Sequence, residues 1–137
     1  MKVLSDTNII LDILLAREPF LSPAKKLIHM IDHGEIQAYI TANSITDIVY
    51  IIRKTYSLDE IRHAILSLLN QIDVIDVCRN DILAAFELGF NDFEDALQSS
   101  CAERARIEYI VTRNQKDFVK SKVAVIGLSE FLSLQQK

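Results

Sequence analysis

Asp6, Asp47, Asp92, Asp95 and Asp117 are the residues whose type and placement suit chemistry. Asp6 ends the short apolar run Val3-Leu4-Ser5, and a carboxylate that is buried there without a partner costs several kcal/mol of desolvation. It therefore calls for a cation, a set of donors or water. The same acids also suit helix starts. Asp6, Thr7 and Asn8 are all good N-caps for the apolar segment that follows, and Ser44-x-x-Asp47 and Asp92-x-x-Asp95 both have the form of a capping box. Singly, each acid reads as well as a cap as a ligand; gathered at one place, they favour ligation. Oxygen ligands without Cys or His at ligand spacing point to Mg²⁺ or Mn²⁺ rather than zinc.

These acids must be positioned by the elements around them. Residues 2–5 read as a buried strand and 9–15 as a mostly buried helix with Asp12 on its wetter side. Arg17, Glu18 and Pro19 form a loop, and Ser22-Pro23 opens a helix that ends at Gly34, with proline at its first position. Residues 37–41 alternate as a second strand, after which Ser44 caps a helix over 45–54. Ser57-Leu58-Asp59-Glu60 is a capping box for a helix over 58–70. Strands are expected at 72–77, 108–112 and 122–126, with helices from Asn80 to Gly89, over 93–106 and from Ser129. Alternating strands and helices indicate an α/β domain with a parallel sheet.

In such a sheet the strand C-termini and the N-termini of the helices that directly follow share one edge, where ligands bind. Asp6, Asp47 (in the first turn after the second strand) and Asp117 fall there by counting. The edge on which Asp95 lies is left open, because two helices separate the third and fourth strands.

A length of 137 residues, half of them hydrophobic, with three Gly and two Pro, describes one domain over 1–137. It is large enough to bury roughly two thirds of its unfolded surface. The net charge of −4 is the opposite of a basic nucleic-acid footprint, but divalent ions bound by clustered acids would offset it. Cys78 and Cys101 carry no zinc or redox spacing and are expected as reduced thiols. Asp6 and Asp12 interrupt the apolar N-terminus that would otherwise resemble a signal peptide, and no run approaches membrane-spanning length. A cytoplasmic location is expected.

Four segments together resemble the PIN-domain family, and within it the small single-domain proteins of the VapC toxin type. They are Ser5-Asp6-Thr7-Asn8, Ser44-Ile45-Thr46-Asp47, Asp92-Phe93-Glu94-Asp95-Ala96-Leu97 and Thr112-Arg113-Asn114-Gln115-Lys116-Asp117-Phe118. The resemblance implies a three-layer fold, a mostly parallel five-stranded sheet in the order 3-2-1-4-5 flanked by helices. It also implies a metal-dependent endoribonuclease that leaves a 3′-hydroxyl. Asp6, Asp47, Asp95 and Asp117 would form the Mg²⁺ or Mn²⁺ site, with Asp92 as a fifth acid. Many members carry Glu at the middle position, so the shorter Asp47 departs from the pattern.

Thr7, Asn8, Thr112 and Asn114 are candidates to orient a carboxylate or phosphate. Arg113, Lys116, Lys120 and Lys122 are candidates for the RNA backbone, and a solvated charged face explains them equally. His29, His33 and His63 are assigned no chemistry; Tyr39, Tyr50 and Phe86 are expected in the core. A toxin of this type would have an antitoxin, and the apolar stripes of the third and fourth long helices suit that partner, a homodimer contact or core packing. The alternative is a catalytically silent domain that binds RNA or protein through the same surface. A phosphatase with Asp6 as nucleophile ranks lower, because position 8 is Asn where a second acid would be needed.

Overall fold

A computed structural model describes residues 1–135. Its elements are, in order, β1 (Lys2–Ser5), α1 (Thr7–Leu14), α2 (Leu21–Asp32), β2 (Gln37–Thr41), α3 (Ala42–Ile52), α4 (Leu58–Leu69), β3 (Asp73–Ile75), α5 (Arg79–Glu87), α6 (Phe93–Arg104), β4 (Tyr109–Thr112), a 3₁₀ turn (Gln115–Phe118), β5 (Val125–Gly127) and α7 (Leu128–Gln135). The strands form one five-stranded sheet in the order β3-β2-β1-β4-β5. Every neighbouring pair is parallel. Val3 of β1 lies opposite Ala38 on one side and Tyr109 on the other.

Because side chains alternate along a strand, the aliphatic β1 supplies both faces of the sheet. Val3, Ala38, Ile40, Val111 and Ile126 pack under α1–α4 and α7, whereas Leu4, Ile75 and Ile110 pack under α5 and α6. That is the expected three-layer α/β/α arrangement. α6 buries a continuous run from Ala96 to Ala102, in which small Ala, Ser and Cys side chains let it lie close to its neighbours.

Several boundaries differ from the sequence reading, each for a local reason. α2 begins at Leu21, with Phe20 at its N-cap position, so Pro23 lies inside the first turn. α3 begins at Ala42, directly after β2. Ser44 is therefore no cap; its buried hydroxyl bonds Thr41 Oγ1 at 2.9 Å and Thr7 Oγ1 at 2.8 Å, tying α1 to α3. Asp47 consequently sits in the second turn rather than the first. The Ser57/Glu60 capping box forms as expected, and Gly34 and Gly89 take the positive φ values of +73° and +74° that follow α2 and α5.

Asp12 is not on a wet face: it is 1 % exposed and paired with two arginines. Tyr50 and Phe86 are not core, at 58 % and 70 % exposed. Tyr50 lies under Arg53, and Phe86 stacks on Phe93 with centroids 4.5 Å apart. The stripe residues Ile48, Ile52, Ile61 and Leu68 are core, so the stripes mainly pack inward. No helix among the described residues is long and apolar enough to cross a membrane.

Candidate active site

β1 delivers Asp6 to the switch point of the sheet, where β1 and β4 are neighbours and their connections leave in opposite directions. Asp6 occupies the N-cap position of α1 with extended backbone, φ −62° and ψ 145°, yet its side chain makes no capping bond. The carboxylate turns instead to the adjacent strand and to α6. Thr112 Oγ1 donates to Oδ2 at 2.8 Å, and Gln98 Nε2 donates to Oδ1 at 3.3 Å. The Thr112 oxygen in turn accepts from the Asn114 backbone N–H at 3.0 Å. At 3 % exposure Asp6 is held in a dry place. Burial pushes its pKa up, against the pull of Thr112, Gln98, the Thr7 backbone and the Arg113 charge.

The place of Asp95 is decided by the α5–α6 pair. Arg104, at the end of α6, bonds Asp81 in the first turn of α5 at 2.9 and 3.0 Å. The two helices are thus antiparallel, and the N-terminus of α6 stands at the end remote from that lock. There Asp92 is a true cap, its Oδ1 accepting from the Glu94 and Asp95 N–H groups at 2.8 and 3.2 Å. The cap aims the first turn of α6 at Asp6. Asp6, Asp47, Asp92, Asp95 and Asp117 line one cleft of about 190 Å³, together with Thr7, Asn8, Glu94 and Gln98.

The electrostatics of this cleft are those of crowded like charges. Burial raises the pKa of Asp95 to about 7, helped by the charges of Asp6, Asp92, Asp117 and Glu94. Glu94 is raised too, by burial and then by its contact with Asp47 across the cleft. Among the described residues no three acidic, His or Cys side chains stand close enough to enclose an ion as they lie. The donor set nevertheless fits a hard divalent cation: it is all carboxylate oxygen, and the charges of Asp6, Asp92, Asp117 and Glu94 add to burial in pushing the Asp95 pKa up for want of a nearby cation.

Lys116 and Lys120 line the adjoining hollow with Asp92, Asp95 and Asp117. Lys120 also donates to the Gly89 carbonyl at 2.8 Å, and Lys122 is exposed. Arg113 is turned away from the acids, to Asp12 and over the Phe20 ring at 3.9 Å. Thr7 spends its hydroxyl on Ser44, and the Asn8 carbonyl accepts from Arg17 at 3.4 Å. Glu94 and Gln98 were missed in the sequence. Gln98 stands three residues after Asp95, on the same helical face, and that spacing was the available signal.

A three-layer, parallel α/β domain with an acid-lined cleft at its switch point defines the class. The family model described as "PIN domain" matches residues 2–116, and the chain belongs to that family. Solved structures share the fold. VapBC2 from Rickettsia felis bound to a DNA fragment from its promoter is 16 % identical, over 93 % of this chain and 98 % of that one, with a TM-score of 0.70. A toxin–antitoxin complex from Klebsiella pneumoniae is 22 % identical, over 92 % and 97 %, at 0.70. VapBC-1 from nontypeable Haemophilus influenzae is 14 % identical, over 94 % and 99 %, at 0.71. No curated protein matches the sequence.

Proposed function

We propose that this PIN-domain protein is a divalent-metal-dependent endoribonuclease and the toxin of a toxin–antitoxin pair. The observation that carries the reading is the convergence of Asp6, Asp47, Asp95 and Asp117 on one cleft, with Asp6 buried between Thr112 and Gln98. Those four acids, with Asp92 beside them, would hold Mg²⁺ or Mn²⁺. A bound ion supplies charge neutralisation at the phosphate and a more acidic water.

The chain's own residues prepare that site. Thr112 and Gln98 fix the Asp6 carboxylate in one orientation, and Asn114 holds the Thr112 hydroxyl by its backbone N–H. Lys116 and Lys120 bring positive charge to the rim, where an RNA backbone would pass. Asp47 is the shorter acid, and Glu94 faces it across the cleft, adding a second carboxylate at that end.

In RNA cleavage assays with Mn²⁺, Asp6→Asn and Asp95→Asn are expected to lose at least about a hundredfold in kcat while keeping the wild-type far-UV spectrum. Undiminished cleavage would overturn the site. Absence of Mn²⁺ binding by the wild-type protein would favour the catalytically silent reading instead.

The antitoxin reading rests on likeness to the toxin–antitoxin structures. The exposed apolar residues Tyr50 and Ile51 of α3 and Leu58, Leu66 and Leu69 of α4 suit a partner or a second copy. Light scattering is expected to give twice the monomer mass, and Leu66→Glu to return it to one; a monomeric wild type would overturn the homodimer. Action on RNA would place the protein in the cytoplasm.

A further inference from the structure

Asp12 is a buried carboxylate outside the acid cleft, and it holds two cations. Arg113 donates from Nε to Oδ2 at 2.9 Å and from Nη2 to Oδ1 at 3.2 Å, a two-point grip. Arg17 Nε stands 2.9 Å from Oδ1, paired by charge rather than by an aligned hydrogen bond. The Arg113 guanidinium carbon lies 3.9 Å from the centre of the Phe20 ring. This side chain is therefore held on its edge by α1 and on its face by the residue that precedes α2.

Arg113 also lies next in the chain to groups that serve the cleft. Thr112 before it bonds Asp6; the Asn114 N–H after it bonds the Thr112 hydroxyl; and the Asp117 N–H bonds the Asn114 carbonyl at 3.0 Å. A residue whose side chain is fixed at two points restricts its own backbone, and here that backbone leads from β4 into the turn that carries Asp117. From this geometry we propose that Asp12 and Arg113 are positioning residues for the nuclease reaction. Their ion pair anchors the segment 113–117 to α1 so that Thr112, Asn114 and Asp117 keep their places at the acids, and Arg113 does not contact the phosphate backbone of the substrate. The proposal rests on the nuclease reading for its kinetic consequence; the anchoring itself can be measured without cleavage.

Arg113→Gln is the informative variant, because Asp12 keeps Arg17 and no buried charge is stranded by the substitution. Asp12→Asn is the harsher one, and Arg113→Lys the conservative one, since an ammonium cannot reproduce the two-point grip. In metal-free protein, amide hydrogen exchange read by NMR is expected to quicken at Asn114 and Asp117 by about tenfold or more in Arg113→Gln. The Asp6 amide, bonded to the Val111 carbonyl in the sheet, is expected to stay at the wild-type rate. Arg113→Lys should recover part of the protection.

In steady-state RNA cleavage, Arg113→Gln is expected to lower kcat by about tenfold or more, with KM within twofold of wild type and the salt dependence of KM unaltered. Unchanged exchange at Asn114 and Asp117 would overturn the anchoring, and faster exchange with an unaltered kcat would overturn the positioning role in the reaction. A raised KM with unchanged kcat and a shallower salt dependence would make Arg113 a phosphate contact and equally overturn the proposal. Failure of the nuclease reading would show separately, as no cleavage by the wild-type protein with Mn²⁺, and hydrogen exchange would still uphold or overturn the anchor.

Discussion

At the scale of single residues, Asp6 and Asp95 divide the work by environment. Asp6 is dry and held by two donors; Asp95 stands at the mouth of α6 among four other acids. With its pKa raised to about 7 from an ordinary 3.8, Asp95 retains its proton in the native state over a range where the unfolded chain has lost it. Native stability is therefore lost as pH rises from about 4 to about 7, and the penalty is fully present above that window. Asp95→Asn, measured with a chelator present, is expected to raise Tm at pH 8 and to have little effect below pH 4. Each kcal/mol recovered corresponds to roughly 3–4 °C in a chain of this size. An equal Tm change at both pH values would contradict the assigned cause.

At the scale of elements, the device that makes the site is the antiparallel α5–α6 pair, because it carries Asp95 to the edge where Asp6 ends. Its lock is Asp81, 3 % exposed. Burial works to raise the pKa of Asp81, but the Arg104 guanidinium and the Cys78 N–H and thiol outweigh it and hold it below the usual value. The stability this supplies is present above about pH 4 and fades as pH falls through the depressed pKa. Ser100 adds a bond from α6 to the Asp81 carbonyl at 2.7 Å. Removing one partner strands a buried carboxylate, so Arg104→Ala is expected to cost about 2–4 kcal/mol in urea unfolding at pH 7, with a smaller cost near pH 3. A loss below 0.5 kcal/mol would show that other contacts orient α6.

At the scale of the whole molecule, six acids in one cleft make a fold whose stability depends on what neutralises them. A ligand that binds only the native state adds about 2.7 kcal/mol at a hundred times its Kd. Mn²⁺ is therefore expected to raise the wild-type Tm more at pH 8, where Asp95 is ionised, than at pH 5.5, and to raise that of Asp95→Asn less at either pH. A shift of equal size in wild type and variant would place the ion elsewhere. The net charge of −4 is no obstacle to a polyanionic substrate, since the acids that cause it are concentrated where the cation would be.

Much of this was legible in the residues. The aliphatic run before Asp6, the alternation at 37–41, the Ser57 capping box and the glycines after α2 and α5 carry local signals that act within a few residues, and each formed as read. The segments around Asp6, Asp92–Asp95 and Thr112–Asp117 announced the family and the three-layer sheet order, because short motifs keep their meaning wherever the fold puts them. What required the tertiary structure was every property set by partners far away in the chain. Ser44 looked like a cap and became a hydroxyl bridge, because Thr41 and Thr7 meet there. Asp12 looked solvated and is buried, because Arg113, 101 residues further along the chain, comes to it beside the nearby Arg17. The edge on which Asp95 lies was undecidable by counting, since an extra helix reverses direction once more. Asp6, which by itself read first as a helix cap, carries no capping bond and faces Thr112 and Gln98 instead. Local propensity acts over a few residues, while burial and charge are settled only by what the folded chain places alongside.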